Sequence, residues 1–250
     1  MPLFDDTMDH KTIPGGGAYN YSAIRPENLG AADYTLVLIA VDASGSTKPF
    51  KSYLVKMLQA CIEACKKNPR SDNVLIRVIV FNGYIHEIHG FKPLNSIDIN
   101  SYSLNSGGIT ALYDAAYSGI GSILDYGKTL YYNDIDLNAC CYFVTDGMNN
   151  VDGATTTMIR DKIQAAIQGE ELSSLTTVLI QLRDPNNPDP VADAALKKFR
   201  EEVGITEYRD LPDATPETLA KLGRFMSKSI SIVSNSCASG QPVSLQSLTV

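Results

Sequence analysis

The chain contains no tryptophan, only three histidines and only five cysteines among its 250 residues. An odd cysteine count without framework spacing argues against a disulfide-stapled fold. Cys61 and Cys65 stand four apart on the apolar face of an expected helix. Cys140 and Cys141 fall within an expected buried strand, where neighbouring side chains point to opposite faces. These four read as small buried hydrophobes. A zinc site would need more sulfur or imidazole, and His86 and His89 are the only clustered histidines. Positive charge is also scarce. With 21 Lys and Arg against 28 Asp and Glu the formal net charge is −7, which disfavours non-specific attraction to phosphate backbones or anionic lipid. No uninterrupted apolar run of about 18 residues is present, so no membrane-spanning helix is expected. The N-terminus lacks a basic stretch followed by an apolar one, and no usual secretory signal is read there. A cytoplasmic location is the expectation.

What is present is an ordinary globular composition, 44% hydrophobic and 20% charged, arranged as alternating strand and helix patterns from about residue 35. Thr35 to Val41 is a continuous apolar run suited to a parallel strand covered on both faces. Phe50, Leu54, Met57, Leu58, Cys61, Ile62 and Cys65 then repeat at helical spacing, bracketed by Pro49 and Asn68-Pro69. Val74 to Phe81 is rich in β-branched residues. Asn82-Gly83 after it signals a hairpin into Tyr84 to His89, which makes that segment an antiparallel edge strand with solvent-facing histidines. Asn95 to Gly108 reads as a polar loop. Further helices are expected from near Thr110, over Thr156 to Gln168, from Pro190 to Val203 and after Thr215-Pro216; further strands are expected at Asn138 to Val144, Thr177 to Leu182 and Ile205 to Tyr208. The fold class is therefore α/β: a doubly wound, mostly parallel six-stranded sheet with helices on both faces and one antiparallel edge strand. Residues 1–32, with Gly15-Gly16-Gly17, form an N-terminal extension, residues 33–234 the domain, and residues 235–250 a tail in which Val243, Leu245, Leu248 and Val250 could pair as a short strand.

Ligands of open α/β sheets bind beyond the carboxyl ends of the strands. Three loops place oxygen-bearing side chains there. Asp42, Ser44 and Ser46 follow the first strand, Thr110 ends the loop Ser106-Gly107-Gly108-Ile109, and Asp146 follows the strand ending at Val144. Carboxylates and hydroxyls without sulfur or imidazole suit a hard divalent cation. The plain alternative is that Ser46 or Thr47 caps the next helix.

Asp42-Ala43-Ser44-Gly45-Ser46, Gly107 to Leu112 and Thr145-Asp146-Gly147, in this order and on these elements, resemble the von Willebrand factor A (VWA) domain over residues 33 to 234. The resemblance implies a Rossmann-like fold with a metal-ion-dependent adhesion site (MIDAS). Ser44, Ser46 and Thr110 would ligate Mg²⁺ (Mn²⁺ or Ca²⁺ as substitutes), with Asp42 and Asp146 oriented around them. A partner's Glu or Asp would complete the shell, because neutral hydroxyls leave the ion's charge poorly compensated. Met148, Asn149, Asn150, Asp152, Tyr113 and Asp114 would surround the metal. Asp184 to Asp189 adds an acidic loop on the same edge.

The run Gly107 to Asp114 is similar to bacterial intracellular members and to stand-alone domains of tellurium-resistance and phospho-signalling systems. That resemblance implies a non-enzymatic adaptor in a stress-response or defence complex. The alternative is a structural or assembly subunit of a bacterial or phage-encoded particle, forming homo-oligomers through its terminal extensions. Enzymatic readings are weaker. Gly45-Ser46-Thr47-Lys48 lacks the glycine and the Gly-Lys order of a phosphate loop, and no Gly-x-Ser-x-Gly elbow occurs. A dehalogenase-type phosphatase would need an Asp where Ser44 stands, and a metal-dependent hydrolase has no visible base.

Overall fold

The computed structural model describes residues 7–13, 19–239, 245, 248 and 250. Eight strands form one sheet: β1 (Met8–Thr12), β2 (Asn20–Ile24), β3 (Asp33–Asp42), β4 (Val74–Phe81), β5 (Ile85–Pro93), β6 (Asp136–Thr145), β7 (Ser174–Leu182) and β8 (Glu207–Leu211). Five helices accompany them: α1 (Lys51–Lys66), α2 (Leu112–Tyr131), α3 (Thr156–Gln168), α4 (Pro190–Val203) and α5 (Pro216–Ser239). The strand order is β1-β2-β5-β4-β3-β6-β7-β8. From β4 through β3, β6 and β7 to β8 the pairing is parallel throughout.

β3 and β6 are buried along nearly their whole length, as expected of parallel strands covered by helices on both sides. Alternate residues feed two cores. Val37, Ile39, Val41 and Cys140 pack with α1 and α5; Leu36, Leu38, Ala40 and Cys141 pack with α2 and α3. The two adjacent cysteines thus serve opposite faces, as alternation requires. The helix signals are realised locally. Thr155 and Asp189 cap α3 and α4 by accepting backbone N–H bonds, and Gly204 ends α4 in the left-handed conformation at φ 77°.

The sheet differs from the six-stranded one expected. Residues 8–12 and 20–24, within the expected extension, add an antiparallel hairpin, and β2 pairs parallel to β5 through Ala23 and Phe91. β5 is antiparallel to β4, as the Asn82-Gly83 turn signals, but lies inside the sheet. The cause is chemical. Tyr21 and Ala23 of β2 are fully buried, yet four of the five residues of β1 are polar and both strands are five residues long, so their apolar signal is faint. Polar side chains and short length are also how edge strands resist unwanted pairing.

His89 is correspondingly not solvent-facing. Its ring stacks on Tyr102, and its Nε2 lies 2.8 Å from the Tyr102 hydroxyl; His86 is exposed. The segment between β5 and α2 is no plain surface loop either, because Leu94, Ile97, Tyr102 and Leu104 join the α1/α5 core. The last helix extends past residue 234 to Ser239. Gly15-Gly16-Gly17 and Val243 lie outside the described residues. Of the expected C-terminal strand, Leu245 is buried in the α1/α5 core, Leu248 and Val250 pack against it, and none of the three is in a strand. Among the described residues no helix is long and apolar enough to cross a membrane.

Candidate metal centre

β3 is the point where the sheet's winding turns, with β4 on one side and β6 on the other. Its carboxyl end is therefore where an α/β sheet opens a crevice. The register pairs Val41 with Val144, which sets Asp42 alongside Thr145. Asp42 is fully buried. Its Oδ1 accepts the Ser44 amide at 2.7 Å and its Oδ2 accepts the Thr145 hydroxyl at 2.6 Å.

From there a chain of oxygens runs outward. Ser44 Oγ lies 3.0 Å from Ser46 Oγ, and Ser46 Oγ donates to Asp146 Oδ1 at 2.8 Å. The structure thus brings Asp42, Ser44, Ser46 and Asp146 into one connected group. Thr110 stands at the same cavity without a hydrogen bond to the four. Its amide donates to Asn150 Oδ1 at 2.6 Å, and its carbonyl accepts the Asn150 amide at 3.0 Å. A β-carbon on Gly147 would lie 3.9 Å from Thr110 Oγ1, so that hydroxyl faces the Asp146 loop. The Gly108 carbonyl accepts the Gly45 amide at 3.1 Å and ties the first two loops together. Gly108 has φ 79°, a conformation that favours glycine.

Ser46, Thr110, Asp146, Met148 and Asn150 line a cavity of about 510 Å³, closed on the far side by Asp184, Pro185 and Asp189. Burial pushes the Asp42 carboxyl up to about 6, against the hydrogen bonds of Thr145 and Ser44 and helped by the charge of Asp146. Asp146 is likewise raised by burial, with Asp184 and Asp189 adding to it. Among the described residues neither Asp42 nor Asp146 forms an ion pair. The one arginine on the cavity, Arg183, is held by Asp193 and Asp210. Asp146 on the cavity wall and Asp42 buried behind it have no counter-cation, and with the hydroxyls around them this donor set is chemically suited to a hard divalent ion. Among the described residues no cluster of three or more His, Cys, Asp or Glu gathers as a metal site; the present group has two carboxylates and otherwise hydroxyls.

Some expected neighbours take other places. Tyr113 stacks on Phe199 of α4, and Asp114 accepts the Ala154 amide at 2.7 Å; neither lines the cavity. Asn149 holds the Tyr113 amide. Thr145, Gln181 and Arg183 carry more of the site's structure than sequence reading assigned them. Gln181 is buried, donating to Asp193 and accepting from Tyr208. It sits at an ordinary strand position, and only its polarity within the apolar run Val178 to Leu182 marks it.

No family model and no curated protein matches the sequence. Solved structures do share the fold. The PilB minor pilin from Streptococcus sanguinis is 14% identical, with TM-score 0.54, over 86% of this chain and 64% of that one. The open conformation of the pilus adhesin SpaC from Lactobacillus rhamnosus GG is 12% identical, with TM-score 0.55, over 90% of this chain and 33% of that one. The ArnB paralog VWA2 from Sulfolobus acidocaldarius is 14% identical with a TM-score of 0.46, over 86% of this chain and 53% of that one, a likeness that carries no argument. Identities this low carry the fold alone, and the chain spans less than two thirds of each of these proteins.

Proposed function

We propose that this chain is a non-enzymatic, VWA-type binding module that holds Mg²⁺ at Asp42, Ser44, Ser46, Thr110 and Asp146 and captures a Glu or Asp of a protein partner. The observation that carries the reading is the connected group from buried Asp42 through Ser44 to Ser46 and Asp146, the last two of which line an acidic cavity. A partner carboxylate would be repelled by Asp146, Asp184 and Asp189 alone, at roughly 1 to 4 kcal/mol per close pair. A bound divalent ion would reverse that field and offer an open coordination position. Asp42 and Thr145 hold the loop rigid, Asn150 fixes the Thr110 backbone, and the hydroxyls leave the ion's charge free to act outward.

Calorimetric titration of Mg²⁺ and Mn²⁺ into the wild type, Ser46→Ala and Asp146→Asn tests the site. Both variants should bind at least tenfold more weakly while keeping the wild-type thermal transition without metal. Equal affinity in all three would end the reading.

A second reading, a subunit of a larger assembly, draws on the outer edge of β1, which no described strand pairs, and on the pilin and the pilus adhesin among the proteins of similar fold. Chelation separates the two. An assembly that persists in EDTA favours the second reading, and a complex that dissolves favours the first.

A further inference from the structure

β1 ends the sheet, and among the described residues no strand pairs its outer side. Its ladder with β2 decides which backbone groups face outward. The Arg25 amide donates to the Thr7 carbonyl and the Ile13 amide to the Tyr19 carbonyl, both at 2.8 Å. These bonds close the two ends of the register that pairs Met8 with Ile24 and Thr12 with Asn20. Hydrogen-bonded and non-hydrogen-bonded pairs alternate along an antiparallel ladder. Asp9 and Lys11 therefore direct their N–H and C=O groups toward β2, while Met8, His10 and Thr12 direct theirs away from it. His10 and Thr12 are exposed.

The charges along this edge are self-complementary. Asp9 and Lys11 stand two apart on one face of the strand, on either side of His10. Antiparallel pairing with the β1 of a second copy, about a two-fold axis at His10, sets His10 opposite His10, Met8 opposite Thr12 and Asp9 opposite Lys11. The outward-facing Met8, His10 and Thr12 then form pairs that each exchange two backbone hydrogen bonds, and Asp9 and Lys11 fall in the pairs between, where side chains stand closest. Both charges can take a second partner. Asp9 accepts Arg25 Nε at 2.9 Å through Oδ1, and its Oδ2 bonds no described residue. Lys11 Nζ donates to the Thr129 hydroxyl at 2.7 Å, using one of its three protons. Moving the axis to Asp9 or to Lys11 would set like charges face to face, which is unfavourable.

Resting on the second reading above, the assembly subunit, we infer that the outer edge of β1 pairs with the β1 of a second copy of this chain in a two-fold dimer centred on His10. Charged edge residues turn away strands at large. Opposite charges placed evenly about His10 admit this chain's own strand and select one register. A two-fold contact uses the same patch on both copies and closes on itself. The candidate metal centre lies beyond β2, β5 and β4 from this edge, so the contact leaves it open.

Sedimentation velocity of the full chain from about 10 µM to about 1 mM should show monomer giving way to dimer, with Kd on the order of 0.1 mM for so short a contact and no change in EDTA. His10→Pro removes an outward N–H and spares the ladder with β2. It should abolish the dimer and keep the wild-type melting transition. Asp9→Lys and Lys11→Asp should each weaken self-association at least about tenfold. An equimolar mixture of the two should dimerise about as tightly as the wild type, because one strand then carries only positive charge and the other only negative. Combining both substitutions in one chain should also restore the dimer, which keeps the test open if His10→Pro fails to fold. Hydrogen exchange should show the amides of Met8, His10 and Thr12 gaining protection as the dimer fills. A dimer indifferent to His10→Pro, or a mixture no tighter than its components, would overturn the inference. Assemblies that persist in EDTA and in His10→Pro would remove this contact and leave the second reading standing. A chain that stays monomeric throughout would remove both.

Discussion

The Thr145 hydroxyl donates to Asp42 Oδ2 at 2.6 Å and accepts the Gly147 amide at 3.2 Å, joining the strand end to the turn behind it. Thr145→Val keeps the shape and leaves a buried carboxylate oxygen unpaired. Urea unfolding should show a loss of about 1 to 3 kcal/mol, with Thr145→Ser recovering most of it. The oxygen-bearing side chains Asp42, Ser44 and Ser46 are legible because they interrupt an apolar run at the place where strands end. Thr145 is not, since a β-branched residue closing a strand looks like any strand former. The surroundings of His89 are not legible either. Plain alternation sets residues three apart on opposite faces, but the shifted register pairs His86 with Val80 and His89 with Val78, on one face of β4, where His86 is exposed and His89 lies against Tyr102. Burial lowers His89 to about 4 from the ordinary 6.5. The folded state therefore holds it neutral, and the unfolded chain takes up the proton first. That contribution is present above about pH 6.5 and drains away as pH falls toward 4. His89→Phe should flatten the stability-versus-pH curve between these values by about 2 kcal/mol relative to the wild type, as read from chemical denaturation at several pH values. A parallel pair of curves would refute the assignment.

At the scale of elements, the helices and central strands follow from apolar spacing and caps, and they fall close to where those signals put them. The β1–β2 hairpin does not, because what fastens it is long-range. Arg77 Nη2 donates to the Asn20 carbonyl, Glu87 accepts from Ser22, and the Tyr126 hydroxyl donates to the Ile24 carbonyl at 2.7 Å. No local window of sequence contains both halves of such bonds. The approach is also tight. A β-carbon on Gly90 would stand 2.0 Å from the Ser22 carbonyl oxygen, so any side chain there must push the β2 backbone away. Gly90→Ala should cost about 1 to 3 kcal/mol or more. Hydrogen exchange should locate the damage, with amides of β1 and β2 losing protection while β3 and β6 keep theirs. Uniform loss across the sheet would show that the hairpin and the central strands unfold as one unit.

For the whole molecule, the question is whether residues 1–25 are an appendage or part of the fold. Ile13, Tyr21, Ala23 and Ile24 belong to the same core as α2, and Tyr21 packs edge-on to Phe91 while Phe91 stacks on Tyr126. Removing them would uncover those rings, strip partners from Arg77 and Glu87, and leave β5 as an open sheet edge. Burial of three large side chains at about 1.5 to 3 kcal/mol each is comparable with the entire stability of many domains. A chain lacking residues 1–25 should therefore melt at least about 10 °C lower. Its mass by light scattering should rise with concentration as the bared β5 edge pairs with another copy. The candidate metal centre lies at the β3–β6 end, across β4 from that edge, so Mg²⁺ should affect neither change. A truncated chain that stays monomeric with the wild-type melting temperature would make the hairpin an ornament. It would then leave the N-terminal strands free for the intermolecular pairing that an assembly subunit needs.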